Sequence, residues 1–368
     1  MIKRMVFLVF LSAFVLLLMP LGAGAQADEE DVSADGIIED FSAIIPEESG
    51  ISTDEDSLLE SIGVEGILKR IMDTLSGEGA EMLTFFLTLI GFAVLSVLSD
   101  SLSFGSGEGS KTAGVGVMVL ASFSIYPRVY SIFESVRSSL ESVSSFFGAA
   151  LPVLTALTTA SGSLKSAGVQ AMNMNITLGI VGAIASRILL PLSLSLLSFA
   201  LVSSFGDGGA ASLSKSIKSF FTFGLGIVTA VSSAAITLQS VIASASDSAA
   251  LRAARYAAGS LIPVVGSSVS SAISTLSGGL AYAKSTVGAA SIAVIAVISI
   301  APLLSLLAYR MMFSMVISFL EYLDNPRGVR CFSAYRTAFD AVISVYVMST
   351  LVCIIQVIVF MKGGASLQ

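Results

Sequence analysis

Beyond residue 81 the chain alternates between long apolar stretches and short segments rich in glycine, serine and charged residues. The clearest stretch, 82–99, has no charge between Glu81 and Asp100, and it approaches the ~20 apolar residues that a transmembrane helix requires. Further apolar stretches follow at 112–127, 146–162, 168–205, 220–243, 256–283, 287–320 and 341–361. This pattern predicts an all-α protein, a polytopic transmembrane helical bundle with about 6–9 membrane segments.

Two of these stretches are much longer than a membrane is thick. Residues 168–205 would form a helix of ~57 Å at ~1.5 Å per residue, against a hydrocarbon core of ~30 Å. Arg187 is the only charge in this stretch, and Arg310 is the only charge in 287–320. Because an arginine at mid-bilayer costs at least ~2.5 kcal/mol, each must lie in a turn near the headgroups or face a wet cavity. The turn is the favoured interpretation for both arginines.

The first 81 residues have a different character. Lys3 and Arg4 precede the apolar run 5–19 and a stretch of small residues, which predicts a signal peptide over 1–27, cleaved after Ala25 or Ala27. An uncleaved first helix is the alternative. Residues 28–81 hold 17 of the 26 acidic side chains. They are predicted to form an acidic extracytoplasmic segment, largely disordered, with one surface helix near 58–75. The transmembrane helical domain would then cover 82–361, and 362–368 a short tail.

The apolar part contains an internal similarity at an offset of 111 residues. Leu151-Pro152-Val153 is matched by Ile262-Pro263-Val264, and Pro191-Leu192 is matched by Pro302-Leu303. These matches predict a tandem parallel repeat over 146–242 and 257–353, with the halves related by an axis along the membrane normal. Coincidence in a sequence biased towards Ser, Ala and Leu is the alternative.

The distribution of charge predicts the orientation of the bundle. With the acidic segment outside, alternating spans place the basic clusters at 215–218 and 327–336 on the cytoplasmic side, as the positive-inside tendency requires. Arg252 and Arg255 fall on the other side and count against this arrangement. The C-terminus is expected outside.

Composition narrows the chemistry that the protein can perform. The chain is 54% hydrophobic and only 12% charged, and it has no His, no Trp and two Cys. This argues against His-based catalysis, structural zinc and a disulfide framework. Ser212-x-x-Lys215 is expected in a solvated loop, which does not favour a Ser–Lys hydrolase, and 105–112 lacks the second glycine of a Walker motif. We therefore expect no catalytic residue, no cofactor and no metal.

Two sets of residues are candidates for a membrane function. Proline and glycine in apolar surroundings free backbone groups and allow close approach, which suits either a conduit or ordinary helix packing. The candidates of this kind are Pro152, Pro191, Gly259, Pro263, Gly266, Gly278, Gly279 and Pro302. The candidate intramembrane charges are Arg187, Arg310 and Asp340. Asp340 could accept a cation, but an ion pair with Arg336, four residues back, is the favoured interpretation.

The proline and glycine segments also resemble those of a known family. The motifs are Gly259-x-x-Ile262-Pro263-Val264-x-Gly266, then Lys284-x-x-Val287-Gly288, and the earlier Leu151-Pro152-Val153. With the order of spans and the acidic lead, they are similar to stage III sporulation protein AE of endospore-forming bacteria, over about residues 80–361. The resemblance implies a multi-pass protein of the mother-cell membrane around the forespore. It also implies a complex with other sporulation membrane proteins, including an ATPase and ring-forming subunits. This chain is richer in Ser and Gly than the more aliphatic members of the family.

The sequence thus favours a non-enzymatic multispanning component of a sporulation channel or export complex between mother cell and forespore. Its environment would be the lipid bilayer, and no nucleic acid is expected as a partner. The alternative is an autonomous secondary transporter with a midplane site between the two repeats. Acidic residues are scarce within the spans, which disfavours ion coupling and so the transporter. A membrane hydrolase is a third class, but it lacks a credible base.

Overall fold

The computed structural model describes residues 64–101, 108–160, 164–205, 216–235, 237 and 266–362. Apart from the turn at 323–325, all of these residues are helical. The predicted signal peptide, the first part of the acidic segment and residues 363–368 of the predicted tail lie outside the described residues, as do Gly259 and Pro263. Within the described ranges, the fold is the predicted all-α architecture.

Seven α-helices and one π-helical turn make up the described chain. They are α1 Val64–Ser101, α2 Glu108–Ala160, α3 Leu164–Ile184, the π turn Ala185–Leu189, α4 Leu190–Phe205, α5 Ser216–Ala235, α6 Gly266–Tyr322 and α7 Pro326–Lys362. In the described ranges, six parts are long and apolar enough to cross a membrane: Gly77–Ser99, Gly114–Thr159, Ala167–Phe199, Ser216–Ala235, Ala290–Tyr322 and Pro326–Phe360. The number agrees with the lower end of the predicted range.

Helix α2 joins two stretches that were expected to be separate spans. It runs unbroken for 53 residues, with Pro127 and Pro152 inside it. Proline in a helix interior costs roughly 3 kcal/mol, but both prolines lie on the exposed side of α2, while a buried stripe from Ile125 to Leu157 continues past them. The continuous packing face therefore keeps the helix intact. The prediction of a separate segment ending at Pro127 was wrong.

The turn expected at Arg187 is also absent, because the chain passes through it as a π turn. The N–H of Leu190 donates to the carbonyl of Ala185, the five-residue spacing of a π bulge. Pro191 follows directly and has no N–H to donate, so the helical ladder widens where it would otherwise be interrupted. Ala185 and Leu189 face the core and Arg187 is exposed. The stretch 168–205 therefore does not fold back.

Arg310 likewise lies inside a helix, since α6 continues for 57 residues. The reversal comes at 323–325, where Asp324 has φ 51°. The Asn325 side-chain oxygen accepts a 2.8 Å hydrogen bond from the N–H of Gly328 and caps α7, and Pro326 occupies its first position. We call the end of the bundle that holds this reversal the turn end.

Consecutive spans of the bundle run in opposite directions. Contacts between helices fix their directions. Arg310 pairs with Asp340 and Ser299 with Tyr346, so α6 and α7 are antiparallel. Ser122 contacts Tyr335 and Ser139 contacts Tyr346, so α2 and α7 are parallel, and α1 joins them through Glu81 with Arg128 and Glu78 with Ser305. Asn173 contacts Ala235, and Leu189 lies against Gly224, so α5 is antiparallel to α3 and α4. The order agrees with the predicted alternation of spans. The tandem repeat stays a prediction.

Candidate functional site

Tyr309 and Arg310, adjacent residues of α6, connect this helix to α1, α2 and α7. The Arg128 guanidinium donates to the Tyr309 hydroxyl from Nε at 3.0 Å and from Nη2 at 2.6 Å. Nη2 also lies 2.7 Å from a carboxylate oxygen of Glu81. One arginine therefore links α1, α2 and α6 through charge-assisted hydrogen bonds, which are stronger than neutral ones.

The second connection is an ion pair between α6 and α7. Nε of Arg310 donates to Oδ1 of Asp340, whose side chain is 47% exposed against 29% for the arginine. The sequence favoured Arg336 as the partner of Asp340, and this was wrong. Asp340 lies in the middle of α7, where the antiparallel register places it opposite Arg310.

A cluster of aromatic rings holds this register. The rings of Phe313 and Tyr335 are stacked at 5.2 Å and 5°, and those of Tyr309 and Phe339 are stacked at 6.4 Å. Phe85 of α1 meets Tyr309 edge-on at 5.2 Å. Each such pair contributes about 0.5–1.5 kcal/mol beyond its buried area. Since Phe339 and Tyr309 directly neighbour Asp340 and Arg310, the rings fix the positions of the ion pair.

Other charges lie at a similar depth in the bundle. Leu189 lies against Gly224, and Thr229 Oγ1 lies 3.4 Å from Met348 Sδ. From this register, Arg187 and Lys218 lie within about two helical turns of Asp340 along the bundle axis. We call the set the charge belt: Glu81, Arg128, Arg187, Lys218, Arg310 and Asp340. Glu78 extends it, because its carboxylate accepts a 3.0 Å hydrogen bond from Ser305.

The belt combines paired charges with partial exposure. Ionisable residues within membrane helices are costly, and they mark functional positions more often than inert ones. Here the two interhelical ion pairs offset that cost, while both remain open to the surroundings. The described residues contain no group of three or more Cys, Asp or Glu side chains that could hold a metal ion. The arrangement is suited to holding helices in register and to meeting polar or charged groups of a partner.

None of the proline and glycine candidates that the structure describes takes part in the belt's ion pairs. Pro152 and Pro191 are exposed on the outer sides of their helices, and Pro302 is half-buried in the middle of α6. Gly266, Gly278 and Gly279 lie in the first half of α6. A conduit or packing role for these residues stays a prediction. Of all the candidates, Arg310 and Asp340 are brought into contact.

Sequence reasoning missed Glu81, Arg128 and Tyr309. The sequence marks Glu81 only as the charged limit of an apolar stretch, Arg128 directly follows the stretch 112–127, and Tyr309 falls inside the stretch 287–320. The sequence did contain a signal for the pair Glu81 and Arg128. Glu81 precedes one apolar stretch and Arg128 follows the next, so two antiparallel helices bring the opposite charges to the same level. Tyr309, one residue before an intramembrane arginine, carried no signal of its own.

The chain matches the sequence model of the family described as stage III sporulation protein AE over residues 54–364. It is 20% identical to the stage III sporulation protein AE of Bacillus subtilis (strain 168) over 353 residues, covering 93% of this chain and 87% of that protein. No solved structure matches it. Because the family match covers well over half of the sequence, the chain belongs to the stage III sporulation protein AE family.

Proposed function

We propose that this protein is a non-enzymatic, multispanning component of a channel or export complex that connects mother cell and forespore during sporulation. The observation that carries the proposal is the combination of family membership over residues 54–364 with six helices able to span a membrane in the described ranges. The name of the Bacillus subtilis relative refers to a stage of sporulation. The proposed site of action is the mother-cell membrane around the forespore.

The outer surface of the bundle supports residence in a lipid bilayer. Large apolar side chains are exposed on most of the spans, which is unfavourable in water and suits acyl chains. Examples are Leu87 on α1, Phe123 on α2, Ile176 on α3, Phe223 on α5 and Met311 on α6. The bilayer is thus the proposed environment of all six spans.

The charges at the turn end support an orientation. Lys218, Arg327, Arg330 and Arg336 all lie in the turn-end halves of α5 and α7, and cytoplasmic ends of membrane proteins carry an excess of Lys and Arg. The turn end would therefore face the mother-cell cytoplasm. The acidic residues before α1 would lie on the opposite side.

The proposed complex supplies what this chain lacks. A channel that moves material against a gradient needs an energy source, and the sequence holds no intact Walker motif. The proposed partners are other sporulation membrane proteins, including an ATPase and ring-forming subunits. No nucleic acid is proposed as a partner.

The test is a deletion in the native host combined with affinity purification during sporulation in a mild detergent. The expected result is a loss of mature spores, restored by the wild-type gene, together with co-purification of other sporulation membrane proteins. Normal spore yield without the gene, and no such partners, would refute the proposal. Solute uptake by the purified chain alone in liposomes would favour the transporter instead.

A further inference from the structure

Two buried glutamines inside the bundle have no hydrogen-bond partner. Gln170 of α3 is 1% exposed and Gln356 of α7 is 0% exposed. In both side chains, neither the amide nitrogen nor the carbonyl oxygen has a partner. Buried carboxamides are nearly always satisfied, because an unmade hydrogen bond leaves their desolvation uncompensated. Two such groups in one bundle point to something that binds them.

The helix register places both glutamines at one depth. Asn173 of α3 contacts Ala235 of α5, and Leu189 lies against Gly224, so residue 229 of α5 stands opposite about residue 180 of α3. Because Thr229 also contacts Met348, residues 180 and 348 share a level. Helices α3 and α7 pack together. They run in opposite directions, because α2 is parallel to α7 and α3 packs back against α2 after a connection of only three residues. Counting back ten residues from 180 therefore places Gln170 opposite about residue 358, within one helical turn of Gln356.

The register between α2 and α7 gives the same result independently. Ser122 contacts Tyr335 and Ser139 lies opposite Tyr346, so these helices run parallel, and residue 154 of α2, six residues before its end, stands opposite about residue 361 of α7. Only residues 161–163 separate α2 from α3. Six residues into α3, Gln170 thus faces about residue 360, again close to Gln356.

The position of the two glutamines, far from the charge belt, favours a neutral polar ligand. The charge belt is about 25 Å away along the axis, because Arg187 and Asp340 are 17 and 16 residues from the two glutamines. Each carboxamide offers two N–H donors and an oxygen acceptor, a set that a molecule able both to donate and to accept would satisfy. The site lies near the ends of α3 and α7 remote from the turn end. Lys165 and Lys362, five and six residues beyond the glutamines, mark those ends.

We propose that Gln170 and Gln356 form an internal site of the bundle that binds water between α3 and α7. Water is small and neutral, both donates and accepts, and ordinarily makes about three hydrogen bonds to buried polar groups in such sites. The site does not depend on the proposed role in sporulation.

The test uses the full-length chain in lipid bilayers, labelled with 15N in its glutamine side chains, and solid-state NMR that transfers magnetisation from H2O to nearby N–H groups. Gln170→Leu identifies the amide signal of Gln170 and Gln356→Leu that of Gln356, each by its disappearance, and a Gln→Met substitution at the same position replaces a variant that does not fold. We expect both signals to receive magnetisation from water in the unmodified chain. We also expect each substitution to shift the signal of the other glutamine.

The matched control is Asn173→Leu on the same helix, since the Asn173 amide already donates to the carbonyl of Ala235 at 3.1 Å. This substitution should leave the water transfer to both glutamines unchanged. Two outcomes overturn the proposal. One is a direct contact between the two carboxamides without transfer of magnetisation from water. The other is that either glutamine signal receives no magnetisation from water.

Discussion

The guanidinium of Arg128 on α2 donates two hydrogen bonds to the hydroxyl of Tyr309 on α6, although 181 residues separate them. Its centre also lies 5.5 Å from the centroid of the Tyr309 ring. The same guanidinium reaches Glu81 of α1. A single side chain thereby ties the consecutive helices α1 and α2 to α6, which is remote from them in sequence.

Replacing Arg128 by Ala should lower both stability and function. The substitution removes the link to Tyr309 and leaves Glu81 without its interhelical partner, at an expected cost of about 1–3 kcal/mol for hydrogen bonds to a charged group. The measurement is thermal unfolding of the purified protein in detergent, together with spore yield from the complemented deletion strain.

The matched control is Arg137→Ala on the same helix. Arg137 is exposed and pairs within α2, with Glu141 at 3.1 Å and Glu134 at 3.7 Å. Such pairs contribute only about 0.3–0.5 kcal/mol, so this variant should resemble the wild type. Equal losses in the two variants would show that Arg128 has no special structural role.

The pair Arg310 and Asp340 should respond to exchange of its charges. Asp340→Ala leaves Arg310 without its carboxylate among apolar helices, and we expect a loss of about 1–2 kcal/mol, because partial exposure weakens the pair. The double variant R310D/D340R should recover a large part of this loss, as measured by thermal unfolding. The two single variants of that exchange should be worse than the double one.

Arg336→Ala is the control for this prediction. Arg336 stands four residues before Asp340 on the same helix, but the carboxylate faces α6. We expect near-normal stability for this variant. A charge-exchanged protein no more stable than its single variants would contradict the interhelical pair.

The positions of membrane helices could be predicted from local hydropathy, but the points at which helices end could not. The uncharged stretch 82–99 correctly predicted the membrane part of α1, since length and hydropathy alone define such a helix. Pro127 and Arg187 were interpreted as helix limits on local grounds, and both lie within continuous helical runs. Whether a helix continues past such residues depends on the neighbours along its buried face, which a local pattern does not contain.

The candidate site shows the same division. Arg310 and Asp340 could be selected from sequence as intramembrane charges, because charge is costly in lipid. Their pairing could not, because it depends on the register that Phe313 and Tyr335 set between α6 and α7. Arg128 escaped notice because it stands beside Pro127, where a local reading ends the span.

Gly224 should tolerate substitution less well than Gly226, two residues later. A Cβ at Gly224 would meet Cδ2 of Leu189, in the π turn, at 3.0 Å, whereas a Cβ at Gly226 would meet no atom within 4 Å. Gly224→Val is expected to cost about 1–3 kcal/mol by overpacking, and Gly226→Ala should be neutral or slightly stabilising. Thermal unfolding of both variants checks the difference, and equal stability would contradict the close contact with the π turn.

Asn325 should be the most sensitive residue of the turn between α6 and α7. Its side chain caps α7 through Gly328 and donates a 2.8 Å hydrogen bond to the Ser96 hydroxyl of α1. Asn325→Ala is expected to lose about 1–3 kcal/mol, the sum of a cap and a buried hydrogen bond. Asp324→Gly is the control, because the positive φ at this position favours glycine. A larger loss at Asp324 than at Asn325, measured by thermal unfolding, would contradict this account.

The proposed orientation can be tested by cysteine labelling in intact vegetative cells that express the chain in their plasma membrane, where the extracytoplasmic face meets the medium, at positions that the structure exposes. Ser216, which begins α5, and Tyr322, which is 87% exposed at the end of α6, both lie near the turn end. Gly328, also near the turn end, is not a suitable position for a cysteine, because a Cβ there would meet Leu320 at 3.0 Å. The natural Cys331 and Cys353 are buried and should add little background.

We expect Ser216→Cys and Tyr322→Cys to resist a membrane-impermeant thiol reagent until the cells are opened. Labelling of both from outside would invert the proposed orientation, and labelling of one alone would contradict the antiparallel order of the spans, since the bundle places both residues at the same end.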